Sequence, residues 1–149
     1  MDLLYIILEV GKNLKHLIKF WLPPLVWGIA IFSVSANTVA KVSPIYWQDF
    51  VAHKSGHIIE YSLLGILIYR ALINEGVKKG EAILYAVLLC GFYGTTDEFH
   101  QSFTPGREPR VRDVLIDTIG ALSGILIVWK LLPRAPKKLL HWAKRLDLL

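Results

Sequence analysis

The chain has 149 residues, enough for one domain, and is 54% hydrophobic but only 19% charged, with a mean hydropathy of +0.44. These values exclude an ordinary soluble domain, whose surface needs more polar residues, and point to a membrane protein. The formal charge of +5 does not indicate nucleic acid, because the basic residues flank apolar blocks and do not line one stripe.

Leu3 to Ile18 mixes apolar positions (Ile7, Val10, Leu14, Leu17) with basic ones and is expected as an amphipathic helix lying in the membrane interface. Asp2, Glu9 and the lack of a small-residue cleavage site argue against a secretory leader. Phe20 to Ala36 is the first candidate span, with Pro23 and Pro24 near its start, where missing donors cost least. His57 to Ile73 is the second span and Gly80 to Thr96 the third. Cys90, the one cysteine, lies in the third as a small packed residue, which leaves no disulfide framework and no CxxC pair. Asp113 to Leu131 is the fourth span, and Lys137 to Leu149 is a second basic amphipathic segment. Each span is close to the minimum for crossing a bilayer, roughly 17 residues.

The expected fold is therefore all-α: a polytopic four-helix transmembrane bundle with amphipathic terminal helices. It divides into a juxtamembrane segment over 1–19, a four-span membrane domain over 20–131 and a basic tail over 132–149. There is no internal repeat and no low-complexity stretch. Lys12, Lys15, Lys19, Arg70, Lys78, Lys79, Lys130, Arg134, Lys137, Lys138, Lys144 and Arg145 fall on one side of the four spans. Only Lys41, Lys54, Arg107, Arg110 and Arg112 fall on the other, so the positive-inside rule predicts that both termini are cytoplasmic.

The opposite face carries the loops 37–56 and 97–112, with three histidines, His53, His57 and His100, that topology does not require. Three polar clusters meet there. At the start of the second span, helical spacing puts His57 and Tyr61 on one face and steps Lys54, His57 and Glu60 along another, with Glu60 a turn inside the apolar block. The stretch TTDEFHQSFTPGR at 95–107 puts Asp97 and Gln101 on one helical face beside Glu98, and then Pro105-Gly106 turns Arg107 back over the bundle. Asp113 fits an ordinary acidic helix start, whereas Asp117 lies one turn deeper with less excuse. Gly120 and Gly124 form a GxxxG that permits close helix packing, and weakly permits a homo-oligomer. The plain alternative to a site is a set of ties such as Lys54 to Glu60 and Arg107 to Asp113.

HKSGHIIEYSLLG at 53–65 and TTDEFHQSFTPGREPRVRDVLIDTIGALSG at 95–124 resemble the VanZ-like family of bacterial membrane proteins, over about Trp21 to Val128. The resemblance implies a small multi-pass domain of the bacterial plasma membrane with its polar residues near one face. The family is named for a protein conferring resistance to the glycopeptide antibiotic teicoplanin. Lys54, His57, Tyr61, Asp97, Glu98, Gln101, Pro105, Gly106, Arg107, Asp113 and Gly120 match its pattern, while Asp117 stands where the family usually has asparagine.

Three chemistries fit these residues. The first is a lipid head-group site in which His57, Asp97, Glu98 and Asp113 handle protons while Lys54, Tyr61, Gln101, Arg107 and Arg110 hold a phosphate-bearing lipid or cell-envelope precursor. It needs no metal or cofactor. The second is a zinc site on His53, His57 and His100, weakened because Lys54 stands where HExxH carries its glutamate. The third is a non-enzymatic protein that binds an amphiphile or a partner. Ser55-Gly56-His57 shares a short motif with type-2 phosphatidic acid phosphatases, but their later histidine is missing. A transport pathway would need more helices or oligomerisation.

Overall fold

The computed structural model describes residues 3–35, 43–104 and 109–149. It contains four long helices, α1 (Leu3–Ser35), α2 (Tyr46–Asn74), α3 (Lys79–Gln101) and α4 (Val111–Leu126), and a short α5 (Lys137–Arg145). A π-helical turn (Ile127–Leu131) and a 3-10 turn (Leu132–Arg134) join α4 to α5, where Pro133 cannot donate a backbone hydrogen bond. The described residues are helical with no strand, as expected for an all-α membrane protein.

Segmentation differs from the expectation in three ways. The amphipathic start and the first span are one continuous helix, and Pro23 and Pro24 lie inside it. The second helix begins at Tyr46, well before His57, and the chain ahead of it is tied down where Asp49 accepts from the Ser43 backbone N–H at 3.3 Å and Ser43 Oγ accepts from Ile45 N at 3.1 Å. Three stretches are both long and apolar enough to cross a membrane: Gly11–Ser35, Tyr46–Asn74 and Val111–Arg134. The third long helix, α3, has 23 residues, about 34 Å of rise. Gly80, Glu81, Gly91, Gly94, Thr95, Thr96, Asp97 and Glu98 dilute its apolar content.

The helices run up, down, up, down. On α1, Trp21 Nε1 donates to Glu75 Oε1 and Trp27 Nε1 donates to Glu60 O, both at 2.9 Å, which sets α1 antiparallel to α2. Tyr93 Oη donates to Gly28 O at 2.6 Å and, further along both helices, Phe32 stacks on His100, so α3 runs parallel to α1. The most extensive interface joins α2 and α4, which are parallel. Their backbones touch: a methyl added at Gly124 would lie 2.6 Å from Ser62 O, and one at Gly120 would lie 2.9 Å from Ile58 O. Ser62 Oγ seals the contact by donating to Gly120 O at 2.8 Å. The GxxxG glycines therefore serve packing within this chain.

One face of α3 carries Ala82, Ala86, Cys90 and Gly94, spaced four apart, so small residues let α2 and α4 close over it. The core they enclose includes Tyr61, Leu64, Ile68 and Tyr69 of α2 and Ala121, Ile125 and Val128 of α4. The outer faces are apolar as well: Leu25 and Ile29 of α1, Ile59 of α2, Leu88 and Phe92 of α3 and Leu115 and Ile119 of α4 are exposed. Such a belt is unstable in water and suits lipid.

At the end where α2 finishes, the turn is closed by Gly76 at φ +84°, a left-handed position that glycine takes without strain. Pro23 leaves the Lys19 carbonyl without its helical donor, and Arg70 Nη1 fills that place at 3.1 Å. The same guanidinium donates to Leu146 O at 2.6 Å and stacks over Phe20, so Arg70 ties α1, α2 and the segment after α5 together. We call this the basic end and the opposite one the polar end.

Candidate functional site

The inward face of α3 that begins with small residues ends with Asp97, Glu98 and Gln101, all buried. Helical periodicity puts them there: residues three and four beyond Gly94 continue the same stripe. Asp97 Oδ2 accepts from Gln101 Nε2 at 2.8 Å, and Oδ1 accepts from Ser35 Oγ at the end of α1. Glu98 Oε2 accepts from the Arg110 backbone N–H at 2.8 Å, which fixes the chain where it enters α4. Asp97 is 1% exposed, and both of its carboxyl oxygens are met by neutral side chains, Ser35 and Gln101.

On the facing helices, Lys54 Nζ of α2 lies 2.7 Å from Asp113 Oδ2 of α4, both largely buried, and Arg112 adds a second contact to Asp113 at 3.4 Å. One turn deeper, His57 Nδ1 lies 3.1 Å from Asp117 Oδ1. Asp117 is 1% exposed, whereas the His57 side chain keeps 17% of its surface. A carboxylate on Nδ1 fixes the ring tautomer and leaves Nε2 as the nitrogen able to accept a proton. Tyr61 is fully buried between these groups, its ring 6.1 Å from that of Tyr93.

The structure thus brings His57, Tyr61, Asp97, Glu98, Gln101, Lys54 and Asp113 to one end of the bundle, as the spacing suggests. Several partners differ from the expected ones. Lys54 pairs with Asp113 and not with Glu60, which occupies its ammonium with a carboxylate. The Arg110 backbone meets Glu98 while its side chain is exposed. Pro105, Gly106 and Arg107 lie outside the described residues, as does the expected tie of Arg107 to Asp113.

The three histidines separate. His53 Nε2 is 3.4 Å from Asp49 on its own helix, His57 faces Asp117, and His100 stacks on Phe32 at 3.9 Å between ring centres. Among the described residues no three His, Cys, Asp or Glu side chains are placed to share an ion.

Two residues enter that sequence reasoning left out. Asp117 stands out in the sequence as a carboxylate too deep for a cap, but the family pattern has asparagine at that place and so gives it no role. Ser35 gave no signal, since a serine ending an apolar helix is commonplace.

The VanZ/LLP1 family model matches residues 7–133 of the chain. No curated protein and no solved structure matches it at a significant level. The match covers most of the chain, which belongs to the VanZ/LLP1 family and is a membrane protein.

Proposed function

We propose that this membrane protein of the VanZ/LLP1 family binds the polar head of an amphiphile at the polar end of its bundle, and that the His57–Asp117 pair moves a proton there. In this reading all four long helices cross the bacterial plasma membrane. Both termini are cytoplasmic, because the basic residues gather at the opposite end, and the site opens on the outer face. Exposed Tyr46, Trp47, Phe99 and Phe103 ring the polar end and suit the interfacial level of the bilayer.

The observation that carries the reading is the 3.1 Å contact between an imidazole that keeps 17% of its surface and a buried carboxylate. Ionisable groups inside membrane helices are costly, and pairing alone does not account for placing an accessible histidine there. With Asp117 on Nδ1, His57 Nε2 is disposed to take a proton from a hydroxyl or a water and return it to a leaving group. The exposed arginines Arg110 and Arg112 lie at this end, where a phosphate group of a lipid or envelope precursor would sit, and the reading adds Arg107, which is outside the described residues, as a third cation.

A second reading has its own support. Asp113 is engaged by Lys54, Glu98 by the Arg110 backbone and Asp97 by Ser35 and Gln101, so much of the cluster already serves structure. A non-enzymatic binder needs no more than that.

The two are separated by native mass spectrometry and phosphate release, using a short polyprenyl phosphate in detergent as probe. The proton-transfer reading expects wild type to bind and release phosphate, and His57→Gln to bind but not release. Binding without release in wild type supports the binder. No binding by wild type, or binding unchanged in the joint Arg107→Gln, Arg112→Gln variant, overturns the head-group site. The link to teicoplanin-type resistance is a further proposal, read by the teicoplanin sensitivity of a susceptible host that expresses the chain.

A further inference from the structure

At nine residues α5 is too short to cross a bilayer, and it follows directly on an apolar stretch that is long enough, Val111–Arg134. Its far end is held too: Asn74, the last residue of the stretch Tyr46–Asn74, donates through Nδ2 to Asp147 O at 3.0 Å. Leu132 before the helix and Leu148 after it both pack against the core. Each end of α5 therefore sits where an apolar stretch finishes, so the helix lies across the base of the bundle at the level of the lipid head groups.

Its surface is divided lengthwise. Ala143 is buried against the bundle, while Leu139, Trp142 and Leu146, at i, i+3 and i+7, share a face and are 52–53% exposed. Exposed Ile127 and Leu131, just before it, continue the lipid-facing belt toward that face. The opposite arc carries two rows that meet at His141: Lys137 and Lys144 in one, Lys138 and Arg145 in the other, all exposed. No acidic residue occurs over 118–146. Among the described residues these four cations meet no carboxylate, unlike Lys19 and Arg70, which hold Asp147. Arg145 lies over the Trp142 ring at 5.6 Å and Lys130 over that of Trp129 at 5.2 Å, so each cation stands beside an aromatic ring suited to the membrane surface.

Four like charges on nine residues repel one another unless a counter-charge is near, and an acidic head-group layer supplies one. We propose that α5 lies in the head-group layer at the basic end, with Leu139, Trp142 and Leu146 turned into the acyl chains, and that Lys137, Lys138, Lys144 and Arg145 select anionic lipids there. Arg70 and Asn74 set the depth of the helix by fixing the segment that follows it. The basic end carries this surface whatever the polar end binds.

Lipid retention by the purified full chain tests it. The chain in detergent is mixed with equal amounts of phosphatidylglycerol and phosphatidylcholine of identical acyl chains, and native mass spectrometry reads which lipid stays bound. Wild type should prefer phosphatidylglycerol by about tenfold or more, because each cation near an acidic surface adds a few-fold to binding. That preference should shrink as ammonium acetate is raised, a measurement that needs no variant. The joint Lys137→Gln, Lys138→Gln, Lys144→Gln, Arg145→Gln variant should lose most of it. The joint Arg110→Gln, Arg112→Gln variant, changed at the other end, should keep it. In phosphatidylglycerol nanodiscs a membrane-impermeant maleimide should label His141→Cys quickly and Leu139→Cys slowly, with buried Cys90 as a silent background. Equal retention of the two lipids by wild type, or a preference that survives the four glutamines, overturns the anionic-lipid surface. A preference lost only with Arg110 and Arg112 moves the lipid to the polar end and overturns it as well. Equal labelling of the two cysteine variants overturns the orientation of α5.

Discussion

Gly124→Ala isolates what the contact between α2 and α4 is worth. A methyl there would lie 2.6 Å from Ser62 O and 2.9 Å from Ser62 Cα. Those atoms are backbone and cannot turn aside, so the helices must part by roughly half an ångström to restore ordinary contact. Overpacking of this kind costs about 1–3 kcal/mol. Parting the helices also stretches the Ser62 to Gly120 hydrogen bond, worth about 0.5–1.5 kcal/mol. Against this stands the higher helix propensity of alanine, about 1 kcal/mol. The net expectation is a loss of about 0.5–3.5 kcal/mol, near 2–4 °C in Tm per kcal/mol for a chain of this size. Gly11→Ala supplies the control, because Gly11 lies in α1 with no atom within 4 Å of an added methyl, so only propensity acts and Tm should rise. Differential scanning fluorimetry of both variants in one detergent reads the contrast. If Gly124→Ala were as stabilising as Gly11→Ala, the backbone contact would be wrong, and the His57–Asp117 register that depends on it would fall too.

Other expectations concern charge. Lys54→Met should cost about 1–3 kcal/mol, somewhat less than removing one partner of a fully buried pair because Arg112 still reaches Asp113. Adding Asp113→Asn to Lys54→Met should recover part of the loss, and a double-mutant cycle showing no coupling would remove the ion pair from the account. At the basic end, Lys19 Nζ at 2.8 Å and Arg70 hold the Asp147 carboxyl below its ordinary value of 3.8. A depressed carboxylate stabilises the folded arrangement above pH 3.8 and ceases to do so as the pH falls through the lower folded value. The protection factors of the α5 amides, taken relative to the intrinsic exchange rate at each pH, should therefore be high near neutrality and fall in stronger acid. Asp147→Asn should abolish that pH dependence, and a tail whose protection ignores both changes would contradict the latch. Arg70→Gln should free the Lys19 and Leu146 carbonyls and expose the Lys144 and Arg145 bonds to trypsin; unchanged cleavage would count against Arg70 as the tie.

The amino-acid sequence by itself determined the class of the protein. Apolar blocks of spanning length and polar groups repeated at helical spacing fix an all-α membrane fold with its polar residues clustered in a few stretches, because these properties are local to each helix. Within a helix the spacing also predicted real bonds, such as Asp97 with Gln101. Tertiary structure decided what each polar group meets on another helix. Lys54 meets Asp113 and not Glu60, and Asp117 moves from an unexplained acid to the partner of His57. Ser35 joins Asp97 across some sixty residues of chain. The physical reason lies in the register between α2 and α4, set where Gly120 and Gly124 let two backbones touch. Spacing along one helix says which residues share a face, but only the contact between helices says what that face is turned toward.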